Sequence, residues 1–363
     1  MPEILTPRER FGLLVIDEVQ DRVPVFPLLT SYAAVHSGVP LRSYYTDGET
    51  MAKCQLQARE FYQTDFISIF SEVGIIAEGL GSEYFYPEDD LPVLSRPKWL
   101  SLDDAVKQLL HSAGNYESVA GRLTVYLDAI HYAYEAIGDR VPILAYIPAP
   151  FTTAQQLIDP EEFLLGLIEC PDLINLLLAY ALNAVLSFSR KVIRQGALPI
   201  LVDPLASGSV LSPTQYQEFA LPFEKAVIDF WHRYDLDVIL HICGDTSEII
   251  NLMPETGADL ISVDKIELEK AVRVAGGRVR IVGNFDTSDL LLGTSNEVAE
   301  LVQKMLILGK TCPRGYVAAT GCEVPLGTPR ENVLTFVQTA KRVGIYDFPK
   351  GLKTGGYYAH RRD

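Results

Sequence analysis

Along this chain, short runs rich in β-branched and other apolar residues alternate with long stretches of helical pattern. The short runs predict eight strands, at Val23 to Leu29, Asp65 to Phe70, Val141 to Ile147, Ala197 to Asp203, Leu236 to Cys243, Asp259 to Asp264, Val279 to Asn284 and Gly315 to Thr320. The long stretches predict helices, among them Pro171 to Gln195, Pro213 to Tyr234, Thr246 to Met253, Asn296 to Leu308 and Pro329 to Val343. Ser212 before Pro213, and Thr328 before Pro329, each place a cap residue ahead of a first-turn proline. Asp245-Thr246-Ser247-Glu248 offers cap candidates with acid in the first turn.

Eight strand candidates followed by helices predict parallel βα units and an α/β fold closed as a (β/α)8 TIM barrel. The rival, an open doubly wound sheet, calls for a phosphate-binding glycine fingerprint. Gly79-Leu80-Gly81 is followed by Ser-Glu-Tyr, with no third glycine in place. The acidic, aromatic, proline-rich segment Glu83 to Pro97 reads as a loop or hairpin on the barrel rim, and Leu102 to Ile137 as extra helices before the third strand. With no internal repeat and no low-complexity linker, residues 1–363 read as a single catalytic barrel domain with N-terminal and rim insertions.

Composition narrows the function classes. A chain with 48% hydrophobic and 21% charged residues folds rather than staying disordered. The net charge of −16 argues against nucleic-acid binding, which draws on Lys and Arg to neutralise phosphates, and against a polybasic membrane anchor. The N-terminus lacks the basic-then-apolar layout of a secretory signal, and no uninterrupted apolar run approaches the ~20 residues that span a bilayer. The expectation is a cytoplasmic protein. Five dispersed cysteines are no disulfide framework, which leaves them as core residues, nucleophiles or metal ligands.

The informative stretch is LDVILHICG, Leu236 to Gly244. Alternate residues of a strand share a face, so His241 and Cys243 are expected to point the same way at the C-terminal end, where barrels build active sites. Imidazole and thiolate two residues apart suit zinc. Alone, such a pair fits equally a buried Cys beside a hydrogen-bonded His. Cys322 is expected just past the end of the eighth strand candidate, facing the same mouth, and three soft ligands there make a catalytic type of zinc site with a position left open. Asp264, at the end of LISVDK, stands either as a further ligand that yields to substrate or as a carboxylate beside the metal or paired with Lys265.

Here the chain resembles a family. LHICGDTSEIINLMPETGADLISVDK, VRIVGNFDTSDLLLGT and GYVAATGCEVPLGTPRENVLTF are similar to the uroporphyrinogen decarboxylase superfamily, in its branch of corrinoid-dependent methyltransferases exemplified by methylcobalamin:coenzyme M methyltransferases. DFISIFSEVGIIAEGLG, APFTTAQQL and VDPLASGSVLSPTQYQEFALPF extend the likeness over most of the chain in the same order. The resemblance implies that His241, Cys243 and Cys322 are zinc ligands and that an acceptor thiol is held as thiolate and aimed at the methyl group of a methylated corrinoid. Transfer in the opposite sense, from a methyl donor to Co(I), or to a tetrahydrofolate-type acceptor, is equally compatible with it.

The chain departs from the decarboxylases themselves. Their arginines after the first strand are replaced by PLLTSYAAVHSGVP, with no Arg between Arg22 and Arg42, so a polycarboxylate lacks cationic partners. Their acidic position near the second strand falls at Ser71-Glu72, where the usual Asp is missing. Decarboxylation is therefore the alternative activity. No Asp-x-His-x-x-Gly corrinoid-binding motif is present, and Asp128-Ala129-Ile130-His131 has the wrong spacing. A separate corrinoid protein is the expected partner, with residues 83–92 as one candidate contact.

Other strand-end residues are candidates by position: Glu72 and Asp203 as substrate-binding or supporting carboxylates, Asn284 as a substrate hydrogen-bonding or loop-fixing amide, Tyr146 and Phe151 as pocket lining or core. His36, His111, His131, His232 and His360 have no metal-type spacing. Cys54, Cys170 and Cys312 read as spectators.

Overall fold

The computed structural model describes residues 4–111 and 121–346. Its strands are β1 (Val25–Leu28), β2 (Ile67–Ile69), β3 (Glu83–Phe85), β4 (Val93–Arg96), β5 (Ile143–Pro148), β6 (Leu198–Val202), β7 (Ile239–His241), β8 (Leu260–Ser262), β9 (Arg280–Phe285) and β10 (Tyr316–Glu323). The eight predicted strands form a parallel sheet in the order β1-β10-β9-β8-β7-β6-β5-β2, and β3 and β4 make the antiparallel hairpin expected in the rim insertion. The fold is a (β/α)8 barrel.

Its ladder breaks between β1 and β2, and there a side chain makes the closure. Asp65 donates its N–H to the Val25 carbonyl at 3.0 Å and accepts the Val25 N–H on Oδ2 at 2.7 Å. Arg10 and Arg22 each reach Asp65 at 2.6 Å, and Arg10 also holds Asp21 at 2.7 Å. Burial pushes the Asp65 carboxyl up, but the two guanidiniums outweigh it and hold it below the usual range.

Alternation along the strands sets what the barrel contains. Leu144, Ile200, Ile239, Leu260 and Val282 belong to one buried apolar cluster inside it. Two residues further along β5, β7, β8 and β9, on the same face, come Tyr146, His241, Ser262 and Asn284. A polar layer therefore caps an apolar one at the C-terminal end. The opposite faces, Leu201, Leu240 and Ile261 among them, are fully buried under the helices, which explains why these strands read as continuous apolar runs.

Several local expectations need correction. Thr246 to Met253 is not an α-helix but a series of turns leading to a 3-10 segment, Met253–Thr256. Pro254 has no N–H and disfavours helical geometry at the residue before it, and Gly257 at φ +87° ends the segment. Ser212 caps its helix through a box with Gln215, whereas the Thr328 hydroxyl finds no partner and Pro329 occupies the cap of Arg330–Val343. Helix Pro171–Arg194 is long and apolar enough, by length and composition, to cross a membrane, although charged and polar residues interrupt it. It buries Ile174, Leu177, Leu178, Ala181, Val185 and Phe188 on one stripe, the spacing of a helix that covers a barrel. Leu102–His111 and Leu123–Ile137 are the expected extra helices.

Candidate metal centre

β7 ends at His241, so Cys243 lies two residues beyond it rather than on the strand. The two side chains meet nonetheless, with His241 Nε2 at 2.8 Å from Cys243 Sγ. The other imidazole nitrogen, Nδ1, is 2.9 Å from the Ser262 hydroxyl, whose residue is the direct β8 partner of His241. That contact orients the ring and leaves Nε2 for the centre.

Cys322 arrives differently from the loop position the pattern predicted. It lies within β10, where four residue steps, from Ala319 to Glu323, face two on β1, from Phe26 to Leu28. Thr320 Oγ1 accepts the Leu28 N–H at 3.0 Å and donates to the Cys322 carbonyl at 2.7 Å. A bulge of this kind re-aims side chains at barrel rims. A Cβ on Gly321 would lie 2.5 Å from Asp264 Oδ1, so only glycine lets β10 pass Asp264 this closely.

Cys243 Sγ and Cys322 Sγ are 3.1 Å apart, and the three potential ligand atoms all lie within 4.8 Å of one another. Among the described residues, this is the one His/Cys/Asp/Glu group compact enough to hold an ion. Tetrahedral zinc with Zn–S of about 2.3 Å sets two sulfurs about 3.8 Å apart, so the pair needs to open by only about 0.7 Å. The donor set fits zinc. The hydrogen bond from Cys243 pulls the Cys322 thiol down to about 4, against burial and with His241 helping, and the same bond together with burial pushes Cys243 well above the ordinary thiol range.

Asp264 is outside this group. Its Oδ2 accepts the N–H of Gly244 at 2.9 Å, where the chain turns at φ +75° straight after Cys243. Burial raises its carboxyl, opposed by that hydrogen bond. Asn284 spends both amide hydrogens on the Asp264 and Ile266 carbonyls, at 2.9 and 2.6 Å, and so pins the same loop. A groove of about 780 Å³ opens beside Asp264, lined also by Asp245, Lys265, Asn284, Asp286 and Asp289.

Glu72, following β2, is gripped by Arg122 at 2.6 and 3.1 Å, and Arg122 also binds Glu78 at 2.8 Å while stacking 4.2 Å from the Tyr86 ring. Tyr146 is 2% exposed, inside the barrel, with Ser68 Oγ at 3.4 Å as its hydroxyl contact. Asp203 is buried behind the mouth rather than in the cluster: Oδ1 accepts the Thr152 N–H and hydroxyl, and its own N–H donates to the His241 carbonyl at 2.9 Å. It faces Glu224, which in turn accepts from Tyr216 at 2.6 Å. Burial lifts Asp203 to about 6 and, with the Asp203 charge beside it, pushes Glu224 well above the carboxylate range. Phe151 packs edge-on against Phe163 in the core.

Four residues of this end escaped sequence reasoning. Ser262 was findable from the alternation above Leu260. Glu323 was findable as the neighbour of Cys322; burial pushes it up to about 7, against the hydrogen bond it accepts from Thr30. Arg122 and Glu224 lie in helical stretches, where nothing local marks them. Cys54 and Cys312 are buried away from the centre, Cys170 is exposed, and His232 pairs with Asp259 at 2.9 Å. His360 lies outside the described residues.

The family described as uroporphyrinogen decarboxylase (URO-D) matches residues 6–343, nearly the whole chain. The chain belongs to the uroporphyrinogen decarboxylase family. Within the family, it is 27% identical over 348 residues to the methylcobamide:CoM methyltransferase MtbA of Methanosarcina mazei, covering 93% of this chain and 98% of that one. It is 26% identical over 300 residues to the uroporphyrinogen decarboxylase of Prochlorococcus marinus, covering 79% and 81%. A solved methyltransferase from Methanosarcina mazei superposes with a TM-score of 0.82 at 26% identity, covering 93% and 99%. Identity to family members of two activities is nearly equal, so the choice between them falls to the site.

Proposed function

We propose that this chain is a zinc-dependent methyltransferase that moves a methyl group between a corrinoid and a small molecule. The observation that carries the reading is the convergence of His241, Cys243 and Cys322 from two separate segments, the end of β7 and the bulge of β10, onto one point of the barrel mouth. Zinc bound there supplies Lewis-acid activation, keeping a substrate thiol deprotonated at neutral pH. The chain's own residues do the rest. Ser262 orients the imidazole; Asp264 fixes the turn after Cys243, and Asn284 pins the loop that carries Asp264; the Tyr146 phenol, kept protonated by burial, faces the same interior. The small molecule is a thiol or tetrahydrofolate-type acceptor, or a methyl donor when transfer runs to Co(I). In this reading the corrinoid comes on a separate protein.

Decarboxylation of a porphyrinogen is the second reading, favoured by the decarboxylase relatives. It has less support at the site, where Thr30 to Pro40 after β1 holds no Arg or Lys and Arg122 is already bound by two carboxylates.

The test is elemental analysis together with methylcobalamin demethylation, followed spectroscopically with thiols and folates. About one zinc per chain is expected, and Cys243→Ser or Cys322→Ser should lose both the metal and the transfer. Stoichiometric zinc in both variants, or carbon dioxide release from uroporphyrinogen by metal-stripped protein, would overturn the assignment.

A further inference from the structure

The charges around the centre do not balance. Glu323 enters the mouth directly after Cys322, and its carboxylate accepts from the Thr30 hydroxyl, with no guanidinium or ammonium at hydrogen-bond distance. Glu72 and Glu78 stand across from it on the β2 side, sharing one Arg122. The two terminal nitrogens of Arg122 are occupied, one donating to Ser71 at 2.6 Å and to Glu72, the other to Glu72 and Glu78, and only its buried Nε has no partner. On the far side Asp264 has Lys265 beside it, but Lys265 Nζ is taken by Asp286 at 2.8 Å. The groove beside Asp264 adds Asp245, Glu267 and Asp289 against Lys304. The segment after β1 contributes Thr30, Ser31 and Tyr32 and no cation.

An anionic head group brought out of water into such a mouth needs a charged donor, best a bidentate arginine, and Arg122 and Lys265 are both bound to carboxylates, which leaves only Lys304 on the groove wall among the described lining residues. A zinc ion with two thiolates and a neutral imidazole has no net charge left to offer beyond its open position. Whichever protonation state Glu323 holds, it gives an anion no counter-charge, whereas an ammonium or a neutral polar group has acceptors waiting in Glu323 and Thr30.

We infer that the small molecule exchanging its methyl group here carries a neutral or cationic head group, and that Glu323 is the residue selecting it. This inference rests on the methyltransferase reading above and deepens it to a substrate class.

A series of thiols on the same two-carbon chain tests it: 2-aminoethanethiol, 2-mercaptoethanol and 2-mercaptoethanesulfonate, whose head groups are cationic, neutral and anionic. With zinc-loaded protein and methylcobalamin, kcat/KM for the amine and the alcohol should exceed that for the sulfonate at least tenfold. In cobalt(II)-substituted protein, titration of the visible d–d bands should give the same order in Kd. In Glu323→Gln the amine-to-sulfonate ratio should fall at least fivefold in both readouts. A sulfonate that matches or beats the amine in wild-type protein overturns the inference while leaving the methyltransferase reading standing. Failure of all three thiols to perturb the cobalt bands or to demethylate methylcobalamin overturns the inference, and the same failure with tetrahydrofolate and with methylated donors offered to Co(I) overturns the methyltransferase reading too.

Discussion

The two ends of this barrel bury ionisable groups in opposite ways. At the closed end, Arg10, Arg22, Asp21 and Asp65 form a network in which each carboxylate meets a guanidinium at 2.6 to 2.7 Å. At the mouth, Asp203 faces Glu224, the sulfurs of Cys243 and Cys322 lie 3.1 Å apart, and Glu323 has a hydroxyl for a partner. A buried charge with all its partners only holds structure together. A buried group short of partners is unstable until something arrives to complete it, which is how a binding site is kept ready. The same eight strands carry both arrangements, one at each end.

The comparison breaks most visibly at Asp65. Asp65→Ala removes the buried carboxylate that Arg10 and Arg22 share, together with its side-chain bond to the Val25 N–H, at a cost of about 3–5 kcal/mol. The readout is the denaturation midpoint, with zinc per folded chain unchanged. A loss under about 1 kcal/mol would mean that the closed end does not depend on this network. The pH sign follows from Asp65 being held below the ordinary carboxylate value: its stabilisation is present above about 4 and drains away as the pH falls further.

The Asp203–Glu224 pair should show the reverse. Both carboxyls titrate higher folded than unfolded, Asp203 at about 6 and Glu224 higher still. The folded state therefore binds more protons than the unfolded one above about pH 4, and stability falls as the pH rises through 4 to 6 and beyond. Glu224→Gln keeps the shape and the Tyr216 contact but removes one titrating group. Its midpoint should overtake that of the wild type as the pH rises. Parallel stability curves for the two proteins would show that Glu224 does not titrate above the carboxylate range there.

Much of both ends was legible in the sequence, and what was missed has physical causes. The barrel followed from strand runs that are apolar on both faces, and His241 with Cys243 from their spacing at the end of one run. The bulge that turns Cys322 inward was invisible, because it depends on pairing between β1 and β10, some 290 residues apart in sequence. Arg122 and Glu224 are helical residues whose meaning arises only when a helix lies across a particular strand end. Asp65 was taken as the start of a strand, although its chemistry lies in reaching the two arginines. Tertiary pairing, which has no local signature, separates what was read from what was missed.

The finest test of the comparison is Tyr146, the residue that could belong to either kind of burial. Its phenol lies inside the barrel above Leu144, with Ser68 Oγ at 3.4 Å, a distance at which a hydrogen bond contributes little. Were it structural, like the groups at the closed end, its removal should cost the 1 kcal/mol or more that an established buried hydrogen bond is worth. Assigned to the mouth, it should behave otherwise. Tyr146→Phe keeps the ring against Phe70 and should shift the denaturation midpoint by no more than about 0.5 kcal/mol. Methyl transfer should fall about tenfold in kcat/KM, the scale of one hydrogen bond to a reacting ligand, with zinc content intact. Because burial holds the phenol protonated far above neutral pH, the loss should be the same at pH 6 and pH 8. A pH-dependent loss, or a drop in stability with unchanged kinetics, would move Tyr146 to the structural side.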